Sequence, residues 1–247
     1  MSPTAHWAYL FIDRPASEFD RACDFWAAVT GTRLSELRGD NGEFGTLLPE
    51  GADASVKVQG VASGPGGAHL DLCVADVDAF VEEALRLGAD RVLDAGALVV
   101  LRSPGGQLFC AVGWDGETVR APVVRGARLD QVCFDVPPSR YDAEVAFWSG
   151  LLPDWESRAG SLPEFHALVP PPGFPVRVLL QRLGDEGPGG AHLDLACADV
   201  DATAAAHERL GARVVSRHPF WTVLRDPANG TYCLTGRDPW TGGLPAA

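Results

Sequence analysis

The sequence predicts an α+β chain built from two tandem copies of one domain, each copy assembled from paired βαβββ units. Three observations carry this. Gly64–Asp78 (GPGGAHLDLCVADVD) returns as Gly187–Asp201 (GPGGAHLDLACADVD), 123 residues further on and identical at 13 of 15 positions. Flanking motifs recur in the same order: Asp24-Phe25-Trp26 answers Ala146-Phe147-Trp148, Leu87-Gly88-Ala89 answers Leu210-Gly211-Ala212, and Phe109-Cys110 answers Tyr232-Cys233. Each half also twice follows a strand and a helical-period segment with three short apolar runs. The period is too long for a solenoid and matches an ordinary domain. The domains are placed at 1–118 and 123–240, with residues 115–125 linking them and Pro122 at the boundary.

In chain order, residues 7–13 (WAYLFID) form a short apolar run that reads as a buried strand. Pro15 breaks it. Ser17 is the expected N-cap of a helix, with Asp20 three residues later. Phe19, Ala22, Cys23, Trp26 and Val29 recur at helical spacing, and Thr30-Gly31 ends the helix. Strands follow at 33–38, 43–48 and 55–61, separated by Gly/Asp/Asn and Pro/Gly turns. After the Gly/Pro stretch 62–67, residues 69–75 form the next strand. Asp76 caps a helix with Val77, Phe80, Val81, Ala84 and Leu85 on its apolar face, closed by Gly88. Strands at 91–94, 97–102 and 107–113 complete the half.

The second half repeats this programme. Strands are expected at 129–136, 153–158, 165–169, 176–183, 192–198, 213–217, 221–225 and 231–236. Ser139 is the expected cap of a helix through Trp148, and Asp199 caps one ending at Gly211. The tail 238–247, with Pro239, Gly242, Gly243 and Pro245, reads as loose.

Composition bounds the function. At 247 residues and 46% hydrophobic, the chain suffices for two ordinary cores. A net charge of −13, with Lys57 the only lysine, argues against nucleic-acid binding, which needs clustered cations. No apolar run reaches the roughly 20 residues that span a bilayer, so no membrane association is expected. The N-terminal residues lack a basic segment followed by an apolar one, so a cytoplasmic location is expected. The six cysteines form no CxxC pair and mostly lie in apolar runs, as buried reduced thiols do. The two Gly-Pro-Gly-Gly stretches precede strands rather than helix N-termini and therefore read as linkers, not phosphate loops.

Alternation along the repeated strand places His69 and Asp71 on one face and Leu70 and Leu72 on the other; His192 and Asp194 follow suit. If the leucines pack beneath the helices, each His–Asp pair turns to the opposite face. Such a pair either moves protons or anchors a structural polar network. Trp7 and Tyr9 on the first strand, and Phe220 and Trp221 near a late one, are candidates for a stacking wall, although core packing is the commoner fate of aromatics.

The paired βαβββ units, the Gly/Pro stretch running into H-L-D-L-x-x-A-D-V-D, and the late [SD]-P-x-x-x-x-[FY]-C hairpin together resemble the vicinal oxygen chelate (VOC) superfamily. It includes glyoxalases, extradiol dioxygenases and bleomycin-resistance proteins. The resemblance covers nearly the whole chain, once per half, and looks closest to a bacterial glyoxalase-like branch. It implies that each sheet curls into a cup. It also implies that a metal, where used, is held from the first, fifth and eighth strands. Those positions are Tyr9, His69 and Cys110 in the first half and Gln131, His192 and Cys233 in the second, which departs from the family's usual His/His/Glu or Gln/Glu/His/Glu sets. Gln131, His192 and Cys233 are the better metal set; thiolate favours zinc over iron or manganese.

The leading expectation is a protein that binds a small, aromatic or polyketide-sized molecule in one or both cups and requires no cofactor. His69, Asp71, His192 and Asp194 are its candidate catalytic residues, and Trp7, Tyr9, Gln131, Phe220 and Trp221 its candidate ligand contacts. The alternatives are a metal-dependent lyase, isomerase or dioxygenase using Zn, Ni, Mn or Fe, and a non-catalytic protein that sequesters a drug. The expected assembly is a monomer with an internal pseudo-dimer, or a homodimer.

Overall fold

The computed structural model describes residues 4–244 and contains two eight-stranded sheets of the same plan. The first comprises β1 (Ala5–Pro15), β2 (Arg33–Leu34), β3 (Phe44–Leu48), β4 (Val56–Val61), β5 (Gly67–Val74), β6 (Asp90–Asp94), β7 (Leu98–Arg102) and β8 (Leu108–Gly113). Helix α1 (Phe19–Thr30) follows β1, and α2 (Val77–Arg86) follows β5. The second comprises β9 (Ala127–Val136), β10 (Glu156–Ala159), β11 (Phe165–Val169), β12 (Arg177–Arg182), β13 (Gly190–Cys197), β14 (Arg213–Arg217), β15 (Trp221–Arg225) and β16 (Thr231–Thr235). Helix α3 (Tyr141–Leu151) follows β9, and α4 (Val200–Arg209) follows β13. The spatial orders, β2-β3-β4-β1-β5-β8-β7-β6 and β10-β11-β12-β9-β13-β16-β15-β14, correspond strand for strand.

Registers fix which side chains share a face. β5 and β8 run parallel with Leu70 opposite Phe109 and Asp71 opposite Cys110; β13 and β16 place Leu193 opposite Tyr232 and Asp194 opposite Cys233. Leu70, Phe109, Leu193 and Tyr232 are fully or almost fully buried and form the helix side of each sheet. His69, Asp71, Cys110, His192, Asp194 and Cys233 therefore lie on the opposite face, called here the cup face.

Packing divides the chain into two compact units, each drawing on both halves. One holds the described residues through Leu10 with His69–Val119 and Val132–Ala191; the other holds Phe11–Ala68, Arg120–Gln131 and the described residues from His192 onward. In the first, Phe109 packs on Trp148 at 5.0 Å, and Trp148 stacks on Phe134 at 5.2 Å. The buried Glu144 carboxylate accepts from Ser103 Oγ (2.6 Å), Gly105 N (2.5 Å) and Trp148 Nε1 (2.8 Å). In the second, Trp26 meets Tyr232 edge-on at 5.2 Å and donates through Nε1 to Asp226 at 3.0 Å. Asp226 is ion-paired to the buried Arg14 at 2.7 Å. Trp26 and Trp148 are thus core, and both indoles are satisfied by a carboxylate.

Local signals explain the element ends. Asp76 and Asp199 cap α2 and α4 by accepting from Ala79 N and Ala202 N. Ser17 and Ser139 do not cap. After Pro15 and Pro137 the chain first makes a 3₁₀ turn, so the helices begin at Phe19 and Tyr141 with no side-chain cap. Ser139 Oγ instead donates to Glu186 at 2.7 Å. The strand expected at 33–38 shrinks to β2, with Arg38 returning only as an isolated bridge to Phe44. Residues 153–155 precede β10, because a turn from Trp155 N to Leu152 O still follows the helix there. The tail is partly ordered rather than loose: Asp238 accepts from Trp240 N and Thr241 N, and Arg128 donates to Trp240 O at 2.8 Å. Residues 245–247 lie outside the described chain. The edge strands β6 and β14 both carry a register shift, and the fully exposed β6 carries charges at Asp90, Arg91 and Asp94, which discourages further strand pairing. All six cysteines are buried. Among the described residues no helix is long and apolar enough to cross a membrane.

Candidate functional site

The first cup is centred on β5. His69 Nε2 lies 3.7 Å from Asp71 Oδ1; the imidazole keeps 17% of its side chain exposed, whereas Asp71 is buried. Two residues apart on one strand, both side chains leave the same face, so strand geometry itself brings imidazole and carboxylate together. Cys110, opposite Asp71 on β8, joins them: its Sγ, a His69 ring nitrogen and an Asp71 oxygen all lie within 4.8 Å of one another.

Tyr9 lies on β1, the neighbour of β5, and is half-buried. Its hydroxyl donates to Glu117 Oε1. Burial first, then that carboxylate, pushes the phenol well above its ordinary pKa, so Tyr9 is a hydrogen-bond donor and not a base at neutral pH. Glu117 belongs to the segment expected to be a plain linker. That segment is held in place: Trp114 stacks on His6 at 4.5 Å and donates through Nε1 to Glu117 O at 3.1 Å. Nothing in the local sequence signals this contact, which spans 108 positions.

Trp7 shares the face of Tyr9 by alternation but is only 1% exposed. It packs toward Phe174 at 6.4 Å, and Phe174 in turn meets Trp155 at 4.9 Å. Offering its ring to a ligand would require Phe174 to leave. Trp7 is therefore a core residue here.

The second cup repeats the pair and varies its surroundings. His192 Nε2 lies 3.5 Å from Asp194 Oδ1, with the imidazole 14% exposed and the carboxylate buried. Gln131, at the position of Tyr9, donates through Nε2 to Asp194 Oδ2. Gln131 is thus committed to a carboxylate, with its amide nitrogen rather than its oxygen turned toward it. On β15, Val223 is opposite Cys233, so Trp221 shares the cup face with Cys233. The Trp221 ring stacks on His218 at 4.6 Å and 13°. Phe220, at 64% exposure, projects from the turn before β15.

The donor set fits a metal in the first cup. Nitrogen, oxygen and sulfur donors bind zinc at about 2.0–2.3 Å, so three donors already within 4.8 Å need only a small closing movement. The grouping includes Asp71, which the family's strand positions leave out because they take one donor from each strand and His69 fills the place on β5. A thiolate in the set suits zinc better than manganese or iron.

A family profile for the glyoxalase-like domain matches the chain twice, at residues 9–112 and 131–235. Among curated proteins none matches in sequence. Several solved structures share the fold. The Mn(II)-bound glyoxalase from Novosphingobium aromaticivorans has a TM-score of 0.68 at 16% identity, covering 99% of this chain and 89% of that one. The 2,2',3-trihydroxybiphenyl 1,2-dioxygenase from Sphingomonas wittichii has a TM-score of 0.62 at 14% identity, covering 94% and 90%. A xylose isomerase-like TIM barrel/4-hydroxyphenylpyruvate dioxygenase fusion protein has a TM-score of 0.61 at 13% identity. It covers 96% of this chain, which spans about half of it, 49%. At these identities the likeness carries the fold and not the chemistry. With the repeated sheet plan and two profile matches that take in most of its length, the chain belongs to the glyoxalase-like domain family of the vicinal oxygen chelate superfamily, as two tandem copies.

Proposed function

We propose that this chain binds a small, planar, oxygen-bearing organic molecule on the cup face of one or both sheets, where the His–Asp pairs handle a proton of the bound molecule. One observation carries the reading: the same half-buried imidazole beside a buried carboxylate occurs at 3.7 Å in one half and 3.5 Å in the other. A carboxylate held at that distance stabilises a protonated imidazole, so His69 and His192 are suited to accept a proton from an acidic hydroxyl and to return it. Tyr9 contributes a donor to a ligand oxygen once Glu117 is displaced, and Trp221 contributes a ring face.

This reading requires no metal. A second is favoured by the His69–Asp71–Cys110 grouping. These three residues would hold a zinc-like ion, which when bound polarises a ligand oxygen as a Lewis acid. His69 and Asp71 then act as ligands rather than as a proton pair, and proton handling falls to His192 and Asp194. Neither reading depends on the other half being inactive.

The test is a thermal-shift and equilibrium-dialysis panel of aromatic diols and hydroxy acids, catechol and salicylate first, run with metal analysis of the purified protein. Saturable stabilisation that follows mass action, and that is weakened in His69→Ala or His192→Ala, supports the proposal. Stoichiometric zinc lost in Cys110→Ala selects the second reading. A panel with no saturable binder, in protein carrying no metal, rejects both.

A further inference from the structure

A group of arginines lies away from the cups. Asp130 and Gln131 are adjacent on β9, so Asp130 leaves the sheet on the face opposite the Gln131–Asp194 contact. Arg237, only 5% exposed, holds both Asp130 oxygens, with Nη2 at 2.6 Å and Nη1 at 3.0 Å. That bidentate fork is geometrically complete. Arg120 nevertheless approaches the same carboxylate, reaching no closer than 3.6 Å, and Arg128 joins the group while donating through Nη2 to a backbone oxygen, Trp240 O, at 2.8 Å. Three guanidiniums thus converge on one carboxylate already occupied by one of them.

Two further observations point to something missing. The Nε atoms of Arg120 and Arg128 are buried and have no hydrogen-bond partner among the described residues. A buried donor left without an acceptor forfeits its hydration and costs stability. Burial, together with the neighbouring guanidiniums, also pushes Arg128 down to about 10 and lowers Arg120, a measure of how poorly their charge is balanced. Asp238 faces Arg128 from the surface and Asp194 acts on Arg237 from the cup side; neither supplies a partner for the two Nε atoms.

We propose that Arg120 and Arg128, braced by the Arg237–Asp130 pair, form a binding site for a small inorganic oxyanion, phosphate or sulfate. Planar guanidinium forks match such oxygens in pairs, and Arg120 keeps 22% of its side chain exposed, which leaves a way in. The chain as a whole carries a net charge of −13 and repels anions, so saturable anion binding has to come from a local cluster.

The experiment is a phosphate titration of the full chain, followed by thermal unfolding and calorimetry, with sodium chloride at matched ionic strength as the control. The expected result is one phosphate per chain, a saturable rise in Tm that chloride does not reproduce, and loss of at least tenfold in phosphate affinity in Arg128→Gln. Arg120→Gln, which leaves the Trp240 contact intact, gives the same loss and replaces Arg128→Gln should that variant fail to fold. Equal responses to phosphate and chloride, or an undiminished phosphate response in a folded variant, overturn the proposal. Cup-ligand binding in the same variants keeps its wild-type affinity, which separates this site from the one on β5 and β13.

Discussion

At the scale of single residues, the His–Asp pair of each cup joins partners close in sequence, whereas the buried carboxylates of the core reach partners far away along the chain. His69 and Asp71 are two positions apart; Arg14 and Asp226 are 212 apart. Glu144 illustrates the second kind. Its two oxygens accept from three donors, and burial raises its pKa above the usual carboxylate range. Glu144→Gln turns an amide N–H₂ toward one of those donors, so it should destabilise the chain by about 1–3 kcal/mol, as read by urea unfolding at pH 7. Because the folded-state pKa is raised, the wild-type carboxyl contributes stability that is present below its unfolded value and is lost as pH rises through the folded one. That component should vanish in the variant. Gly230 is a comparable fixed point: an added Cβ would lie 2.0 Å from the Arg14 guanidinium, which Asp226, the Asp13 carbonyl and the Gly67 carbonyl all hold in place. Gly230→Ala should therefore cost about 1–3 kcal/mol by overpacking.

At the scale of elements, much of the chain was legible because local signals agree with tertiary packing. The Asp-capped helices α2 and α4 start where their caps predict, and β11, β14 and β15 have the expected ends. The Ser-capped starts were not legible: Pro15 and Pro137 impose their own 3₁₀ turn, and a competing acceptor, Glu186, takes the Ser139 hydroxyl. A paired measurement follows. Asp199→Ala should lose about 1 kcal/mol, within the usual range for a helix cap, while Ser17→Ala should stay within about 0.5 kcal/mol of wild type. Equal losses would contradict the assignment of caps. The His–Asp arrangement was legible for the same reason as the strands, since period-two alternation decides it. Glu117 beside Tyr9 and the arginines gathered at Asp130 were not, because no spacing rule brings a linker carboxylate to Tyr9, or Arg237 to Asp130 from 107 positions away.

At the scale of the whole molecule, the two copies keep one sheet plan and diverge in how they satisfy it. Each core indole finds a carboxylate, from Glu144 on α3 for Trp148 but from Asp226 in the hairpin before β16 for Trp26. Each cup keeps the His–Asp pair, while Tyr9 gives way to Gln131 beside it. The C-terminal copy also buries a histidine that the N-terminal copy lacks. His207 packs against Phe25, meets the Tyr232 hydroxyl at 3.0 Å, and is held by burial at about 4, below its ordinary 6.5. A depressed histidine contributes stability that is fully present above the unfolded pKa and is lost as pH falls toward the folded one. Denaturant midpoints should therefore drop between pH 6.5 and about 4, a loss on the order of 3 kcal/mol, and His207→Phe should flatten that window.

The most direct measurement of the central claim is long-range ¹H–¹⁵N NMR of the His69 and His192 imidazoles during titration with catechol and salicylate, each resonance assigned by its own alanine variant. The account predicts that a bound ligand shifts the ring nitrogens of at least one of the two, saturably, and that Asp71→Asn or Asp194→Asn lowers the titration midpoint of the imidazole beside it. Imidazoles that ignore every ligand binding to the chain, and that titrate unchanged when the neighbouring carboxylate is removed, would contradict it.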